Sequence, residues 1–422
     1  MSQYSISALK RVFIQGIGAT LLSIALGYGF KIYLAQWVAR DSLALYHTVV
    51  DVITLALIVM TGFRSAMVVS YARTRNDRDI INLFRFCLIA VVLLTWGLVL
   101  PYIKHRLHMN VAYWQLVGII LSMGLKIYFT NQLAMYRMYG ISNRITWLDP
   151  ALQILLFALG YGVLGMSPLS ALFHSLIIGN FLIAVMMFIS RRRQIRTHPL
   201  QGVMLSADLK QFMQRSMTAS LETGASMLMI YLMVLLTVRY FSLEELGNFQ
   251  VVVRPVITYM TLLFVFPIYR FVLPELAEYV RQQNYAAIAA IKRLLYRFAF
   301  AVSAVFFLLM LFWGRQLVHW LYPAEYHGAA IVLIHFAAFF VLMILNAFQL
   351  AFIKAHNGFM PSLLIRISGL VSLLAAFYLL RQYSGNVVSV ILALGCGYGV
   401  MFILSGYYER RLLARTPAAQ HH

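Results

Sequence analysis

The chain has 422 residues, of which 62% are hydrophobic and 11% are charged, and its formal net charge at pH 7 is +21. Because a soluble domain carries roughly a quarter of its residues as charged side chains, this composition excludes an ordinary soluble protein. Lysine and arginine fall mostly in short loops between apolar runs, which is typical of membrane insertion and not of a nucleic-acid-binding surface. The two cysteines both lie within apolar runs and offer neither a metal-type spacing nor a disulfide framework.

Apolar runs long enough to cross a bilayer as a helix recur along the whole chain. The first run, from Val12 to Ala39, is too long for a cleaved signal peptide, so we expect a retained first helix. The pattern predicts an all-α polytopic membrane protein with about 12 transmembrane helices. They are expected at 12–38, 46–70, 82–103, 111–137, 145–166, 168–190, 213–238, 247–272, 295–321, 329–354, 359–380 and 386–408.

The longest basic linker separates six predicted spans from six others. This predicts an N-terminal six-helix bundle (1–190), a basic cytoplasmic linker (191–210) and a C-terminal six-helix bundle (211–422). With Lys10 and Arg11 inside, the cytoplasmic loops hold most of the loop arginines and lysines, so both termini are predicted to be cytoplasmic. None of the outer loops is long enough to hold a catalytic domain.

Two segments resemble each other and suggest an internal repeat. Leu43–Thr54 reads LALYHTVVDVIT and Leu246–Thr258 reads LGNFQVVVRPVIT, so that Asp51 falls opposite Arg254. The second copy has one extra residue before its Val-Ile-Thr. Each segment occupies the second span of its half, which is the relation expected of two six-helix halves that run parallel.

Several ionisable residues fall inside predicted spans, where an uncompensated charge costs at least ~2.5–3.5 kcal/mol. Most of them are basic, and a cavity lined in this way would favour an anionic group. Arginine suits phosphate because its planar fork donates two parallel hydrogen bonds. The candidate residues are Lys31, Asp51, Arg64, Lys126, Arg215, Glu222, Arg254 and Arg366.

Structural explanations of these charges stay open. Lys31, Lys126 and Arg254 lie where a long side chain could reach the membrane interface, and Lys126 could also have a local partner. Asp51 and Arg254 could form a structural pair across the two halves. Pro255 is expected to kink span eight, either for motion or as a fixed bend.

Motifs of enzyme chemistry are absent from the sequence. It contains no G-x-x-x-x-G-K-[ST], H-E-x-x-H, G-x-S-x-G or C-x-x-C. We therefore expect a protein that is not an enzyme and has no catalytic residue, no cofactor and no metal site.

The layout and one motif resemble a known family. Twelve short-looped spans split six and six, basic charges in spans one, two, seven and eight, and the segment FPIYRFVLPELAEYVRQQN (266–284) are similar to the polysaccharide-transporter branch of the MOP flippase superfamily. Its members are the Wzx-type flippases of lipid-linked oligosaccharides.

The resemblance implies a MATE/MOP-like, V-shaped pair of bundles around a central cationic cavity in a bacterial inner membrane. Such proteins move undecaprenyl-pyrophosphate-linked glycans from the cytoplasmic to the periplasmic leaflet for O-antigen-like surface polysaccharides. The implied partners are the lipid-linked substrate, membrane lipids, a polysaccharide polymerase and a chain-length regulator, without nucleic acid. The resemblance makes Asp51 and Glu222 candidates for H⁺ or Na⁺ coupling. It implies that the substrate anion is bound by basic residues of the cavity, namely Lys31, Arg64, Lys126, Arg215, Arg254 and Arg366.

Two rival functions remain open. A multidrug exporter of the same superfamily would share the fold, but would need acidic and aromatic groups for organic cations. A membrane glycan polymerase or ligase would have a similar number of spans, but generally carries a large outer loop.

Overall fold

The computed structural model describes residues 6–38, 40–101, 112–194, 207–322, 324–382 and 385–414, and every regular element within them is helical. Twelve helices follow one another, and α8 is a continuous composite of α-helical and π-helical segments. They are α1 (Ile6–Trp37), α2 (Arg40–Thr74), α3 (Asp77–Leu94), α4 (Tyr113–Met135), α5 (Tyr139–Ala158), α6 (Pro168–Gln194), α7 (Ala207–Tyr240), α8 (243–281), α9 (Tyr285–Leu321), α10 (Ala329–Ala355), α11 (Phe359–Leu380) and α12 (Val388–Ala414).

All twelve helices are long and apolar enough to cross a membrane, as the sequence predicted. Their outward faces carry large apolar side chains, including Trp320 at 82% exposure, Val163 at 74% and Ile403 at 70%. Exposure of this kind is a liability in water and the normal condition of a helix that faces lipid. The chain is therefore a multi-pass membrane protein.

The described chain divides into two compact units, and the boundary between them lies within α7, between Ser220 and Leu221. The first unit comprises residues 8–220, and the second comprises residues 221–414 together with Ile6 and Ser7 at the start of α1. Of the predicted linker at 191–210, residues 195–206 lie outside the described part of the chain. The residues on either side of this gap belong to α6 and α7.

The core of the first unit forms around one face of α2. Val49, Ile53 and Leu57 recur at four-residue intervals and are fully buried, because residues with this spacing share a helix face. They pack with Leu116, Ile119 and Ile120 of α4 and with Phe173 and Leu176 of α6.

The second unit is built around α10, which contributes the buried rings of Phe336, Phe340 and Phe348. Helices α11 and α12 approach closely at two glycines. A Cβ atom on Gly397 would lie 2.7 Å from the carbonyl oxygen of Gly369, so a side chain there would push the two helices apart. This contact brings the side chains of α11 and α12 close to one another.

Four turns between helices share one backbone geometry. Each contains a non-glycine residue in the left-handed region, namely Arg75 after α2, Arg137 after α4, Gln283 after α8 and Asn357 after α10. In three of them an N–H bonds the carbonyl oxygen five residues earlier: Met138 to Leu133, Asn284 to Tyr279 and Gly358 to Ile353. The turns follow the second and fourth helices of each set of six, which is the correspondence that an internal repeat predicts.

Helix α8 contains three π-helical segments, at Asn248–Val253, Thr261–Val265 and Ile268–Val272. A proline follows two residues after each, at Pro255, Pro267 and Pro274. Proline lacks an N–H and its ring clashes with the carbonyl four residues earlier, and a wider π turn upstream relieves this conflict. The chain therefore passes Pro255 without leaving the helix, because a π segment precedes it.

Candidate functional site

Three ionisable side chains from three helices meet inside the second unit. Glu222 comes from the middle of α7, Lys354 from the last turn of α10 and Arg366 from α11. The Nζ atom of Lys354 lies 2.7 Å from Oε2 of Glu222, and Nη2 of Arg366 lies 3.9 Å from Oε1 of the same carboxylate. All three residues are buried, with exposures of 3%, 5% and 7% in chain order. We call this group the second-unit ion cluster.

Polarisable side chains surround the cluster. The Nζ atom of Lys354 lies 4.9 Å from the centre of the Tyr269 ring, within the range of a cation–π contact. Nη1 of Arg366 points to the sulfur of Met401 at 3.9 Å, and the phenol groups of Tyr269 and Tyr398 interact electrostatically with its guanidinium. These contacts accommodate cationic groups in a place where water is scarce.

The cluster has more positive than negative charge. One carboxylate lies between two basic side chains, so the cluster has a formal charge of +1 when all three groups are ionised. The short distance assigns the carboxylate to Lys354, and the longer one leaves the charge of Arg366 less well compensated. Burying a cation without full charge compensation costs free energy, and binding of an anion lowers this cost.

The structure brings together Glu222 and Arg366, which the sequence predicted as site residues. Lys354 was not among the residues predicted from the sequence. The sequence places Lys354 at the very end of predicted span ten, where a lysine is ordinarily interfacial. The overlooked signal is the Asn357-Gly358 pair that ends α10, because a left-handed turn there keeps Lys354 within the last helical turn. Lys354 also lies in the last turn of α10, and a helix C-terminus favours positive charge.

In the first unit, Lys126 has a local partner. Its Nζ atom donates hydrogen bonds to Oδ2 of Asp149 at 2.5 Å and to Oδ1 of Asn180 at 2.9 Å. The charged side chains are about a quarter exposed, 26% for Lys126 and 25% for Asp149. Of the explanations that the sequence left open for Lys126, this geometry matches local pairing.

Arg64 and Arg215 lie where α2 meets the first half of α7. Arg215 is buried, and its Nη1 donates a hydrogen bond to the hydroxyl of Ser70 at 3.0 Å. The two helices touch at Gly62, and the hydroxyl of Ser220 donates to the carbonyl oxygen of Val59 at 2.6 Å. Arg64 is partly buried beside this contact.

The remaining predicted residues are placed as follows. Lys31 is exposed on α1, and both of its explanations, a snorkelling side chain and a cavity residue, stay predictions. Arg254 is partly exposed and directly follows the first π segment of α8, with Pro255 next to it. The side chain of Asp51 lies outside the described part of the structure, so its pairing with Arg254 stays a prediction.

Comparison with known proteins identifies the fold. No protein-family model matches the sequence, and no curated protein does. Among solved structures, an outward-facing multidrug resistance MATE family transporter of the MOP superfamily matches with a TM-score of 0.77 at 12% identity, over 96% of each chain. A variant of the MATE transporter VcmN from Vibrio cholerae also gives 0.77 at 12% identity, over 97% of this chain and 98% of the other.

A third match is a MOP superfamily transporter from Pyrococcus furiosus, described by the reverse polarity of its binding pocket, which suggests a different function for that protein. Its TM-score is 0.74 at 15% identity, over 96% of each chain. The predicted fold class is confirmed, since this chain has a MATE-like fold of twelve membrane helices. The structural neighbours are transporters and not enzymes. The polysaccharide-transporter branch stays a prediction.

Proposed function

We propose that this MATE-like chain is a transporter that moves undecaprenyl-pyrophosphate-linked oligosaccharide repeat units from the cytoplasmic to the periplasmic leaflet of a bacterial inner membrane. The transported glycan would feed an O-antigen-like surface polysaccharide, and the two units would expose the substrate site to each side in turn. The observation that carries the proposal is the second-unit ion cluster, in which two bases and one acid leave a positive charge inside membrane helices.

The chemistry of the cluster suits a pyrophosphate better than an organic cation. Arginine and lysine are the side chains that bind phosphate oxygens, arginine through its fork and lysine as a point charge. An organic cation would need a surplus of carboxylates, whereas the whole chain has 34 basic and 13 acidic residues. The Pyrococcus furiosus neighbour, with its reversed pocket polarity, is a precedent for a change of pocket polarity on this fold.

On this proposal Arg366 and Lys354 contact the pyrophosphate. The other predicted bases would favour acidic substrate at further points of its path, and these are Lys31, Arg64, Lys126, Arg215 and Arg254. Asp51 is the proposed residue for H⁺ or Na⁺ coupling. Glu222 already holds an ammonium group at 2.7 Å, so its carboxylate is not open to a free cation in this state.

The second candidate function is multidrug export. It is favoured by the fold itself, because a multidrug resistance transporter matches over nearly the whole chain. The two candidates differ in the charge of the substrate, and this difference decides between them.

The proposal is tested with purified protein in liposomes. Undecaprenyl-pyrophosphate bearing the repeat unit of the native host is placed in one leaflet, and its appearance in the other is measured, with a cationic dye assayed in parallel. We expect flipping of the lipid and no dye transport. We also expect Arg366→Gln and Arg254→Gln to lower flipping at unchanged reconstituted amounts. Dye transport without lipid flipping would contradict the proposal and favour the exporter.

A further inference from the structure

We infer that Lys354 and Arg366 form an oxyanion site for a phosphate or pyrophosphate group, and that the carboxylate of Glu222 fills this site until such a group displaces it. The inference rests on the proposed function and names the residues that receive the charged end of the substrate. In this view Glu222 is a built-in competitor and not a binding group.

The geometry of the carboxylate is the first support. Its two oxygens are divided between the two cations, with Oε2 at 2.7 Å from Lys354 and Oε1 at 3.9 Å from Arg366. A group that bridges an ammonium and a guanidinium in this way has the charge and oxygen arrangement of one edge of a phosphate. Glu222 thus stands where an incoming oxyanion would bind.

Incomplete satisfaction of Arg366 is the second support. A guanidinium has five N–H donors, and only an oxyanion with several oxygens can engage most of them. The Nε atom of Arg366 is buried and has no hydrogen-bond partner among the described residues, while Nη1 has the weak sulfur acceptor of Met401. The other donors have the phenol oxygens of Tyr269 and Tyr398 and one carboxylate oxygen at 3.9 Å. The Nε donor is left unused, and a phosphate has an additional oxygen to engage it.

Charge balance is the third support. With Glu222 in place the cluster has a formal charge of +1, and a pyrophosphate group, even when both of its ends are esterified, carries more negative charge in total than a carboxylate. Exchange of the carboxylate for a pyrophosphate therefore improves compensation of both bases. Burial of the cluster at 3–7% exposure means that the exchange requires motion of the helices that contribute to it, and motion of this kind belongs to any alternating-access cycle.

The same unit offers a matched control pair. Lys292 of α9 and Glu409 of α12 form an ion pair with Nζ 2.5 Å from Oε1, and the Glu409 side chain is 4% exposed. Like Glu222 and Lys354, this pair joins a lysine to a buried glutamate between two helices. Among the described residues, no second base pairs with the Glu409 carboxylate.

The test is binding of inorganic pyrophosphate to the purified full chain, measured by calorimetry, with undecaprenyl pyrophosphate as a second arm. We expect Glu222→Gln to bind pyrophosphate about tenfold more tightly than the wild type, because the competitor is removed, and Lys354→Met to bind at least tenfold more weakly. Glu409→Gln and Lys292→Met should bind as the wild type does. A tighter interaction with the lipid than with inorganic pyrophosphate would identify the lipid headgroup as the ligand, and equal binding would identify the phosphate group alone.

Weaker or unchanged binding by Glu222→Gln would overturn the inference, as would equal losses in Lys354→Met and Lys292→Met. If Glu222→Gln lowers the melting temperature, pyrophosphate should restore it beyond its effect on the wild type, and failure to do so would count against the site. Tighter binding by Glu222→Gln without lipid flipping in liposomes would leave the oxyanion site standing and refute the proposed function alone.

Discussion

Lys126 shows how a single charge is accommodated in a membrane helix of this protein. Its ammonium donates one hydrogen bond to a carboxylate on α5 and another to an amide on α6. One side chain therefore joins three helices of the first unit. The partial exposure of the pair reduces its strength below that of a fully buried pair. Besides the role proposed for Lys126 on the substrate path, the pair is therefore expected to contribute to stability.

Removing one member of this pair should destabilise the protein. Lys126→Met leaves Asp149 without its counterion, and we expect a loss of about 1–3 kcal/mol in the free energy of unfolding, seen as a lower melting temperature in detergent. Lys126→Met combined with Asp149→Leu should recover most of the loss. Lys31→Met, at an exposed position, is the control and should change little. An equal loss in the single and double variants would refute the pairing.

Individual site residues were only partly predictable from the sequence. The sequence singles out Glu222 and Arg366, because both interrupt apolar runs. It assigns them opposite roles, since it cannot show that Lys354 neutralises the carboxylate. Pairing depends on how α7, α10 and α11 pack, and residues separated by more than a hundred positions give no periodic signal for this. Asp149 was not recognised as the partner of Lys126 because that pairing likewise depends on how two helices, α4 and α5, pack against each other.

At the scale of helices, the composite α8 explains the mismatch between the two repeated segments. The second copy has one extra residue before Val-Ile-Thr, and the π segment Asn248–Val253 lies immediately before Arg254. A π turn holds one residue more than an α turn, so it absorbs an insertion without breaking the helix. Helix α2, which carries the first copy, is α-helical throughout. The sequence predicted a kink at Pro255, but not this accommodation.

Pro255→Ala should remove the steric clash and the missing hydrogen bond that the first π segment accommodates. Alanine restores an N–H and removes the ring, so the upstream turn can contract to α-helical geometry and rotate Arg254 relative to its present position. We expect a higher melting temperature together with lower lipid flipping in liposomes. An unchanged flipping rate in a variant with normal stability would mean that the bend is a fixed structural feature.

The contact between α2 and α7 supplies a second test at this scale. A Cβ atom on Gly62 would lie 2.5 Å from Cα of Ser220, and this backbone atom cannot move without separating the helices. We therefore expect Gly62→Ala to lose about 1–3 kcal/mol of stability, since overpacking of a tight contact costs that much. Gly224→Ala on the same α7 has open space and should be neutral or stabilising. Equal melting temperatures for the two variants would contradict the close contact.

At the scale of the whole molecule, the distribution of apolar residues predicts more of the fold than local motifs do. Apolar runs predicted all twelve helices. A backbone N–H or C=O group inside a bilayer needs a hydrogen-bond partner within its own segment, so each long apolar run is expected to form a helix. The four left-handed turns could not be located in this way, since only Asn357 is of a residue type enriched there. Orientation in the membrane stays a prediction of the loop arginines.

The proposed substrate is an anionic lipid-linked glycan. The most direct measurement is made in the native host after deletion of the gene, by quantifying surface polysaccharide together with lipid-linked repeat units in the inner membrane. We expect loss of surface polymer and accumulation of unpolymerised repeat units on the cytoplasmic side, both reversed by the wild-type gene and not by Arg366→Gln. Unchanged glycans with increased sensitivity to cationic dyes would contradict it.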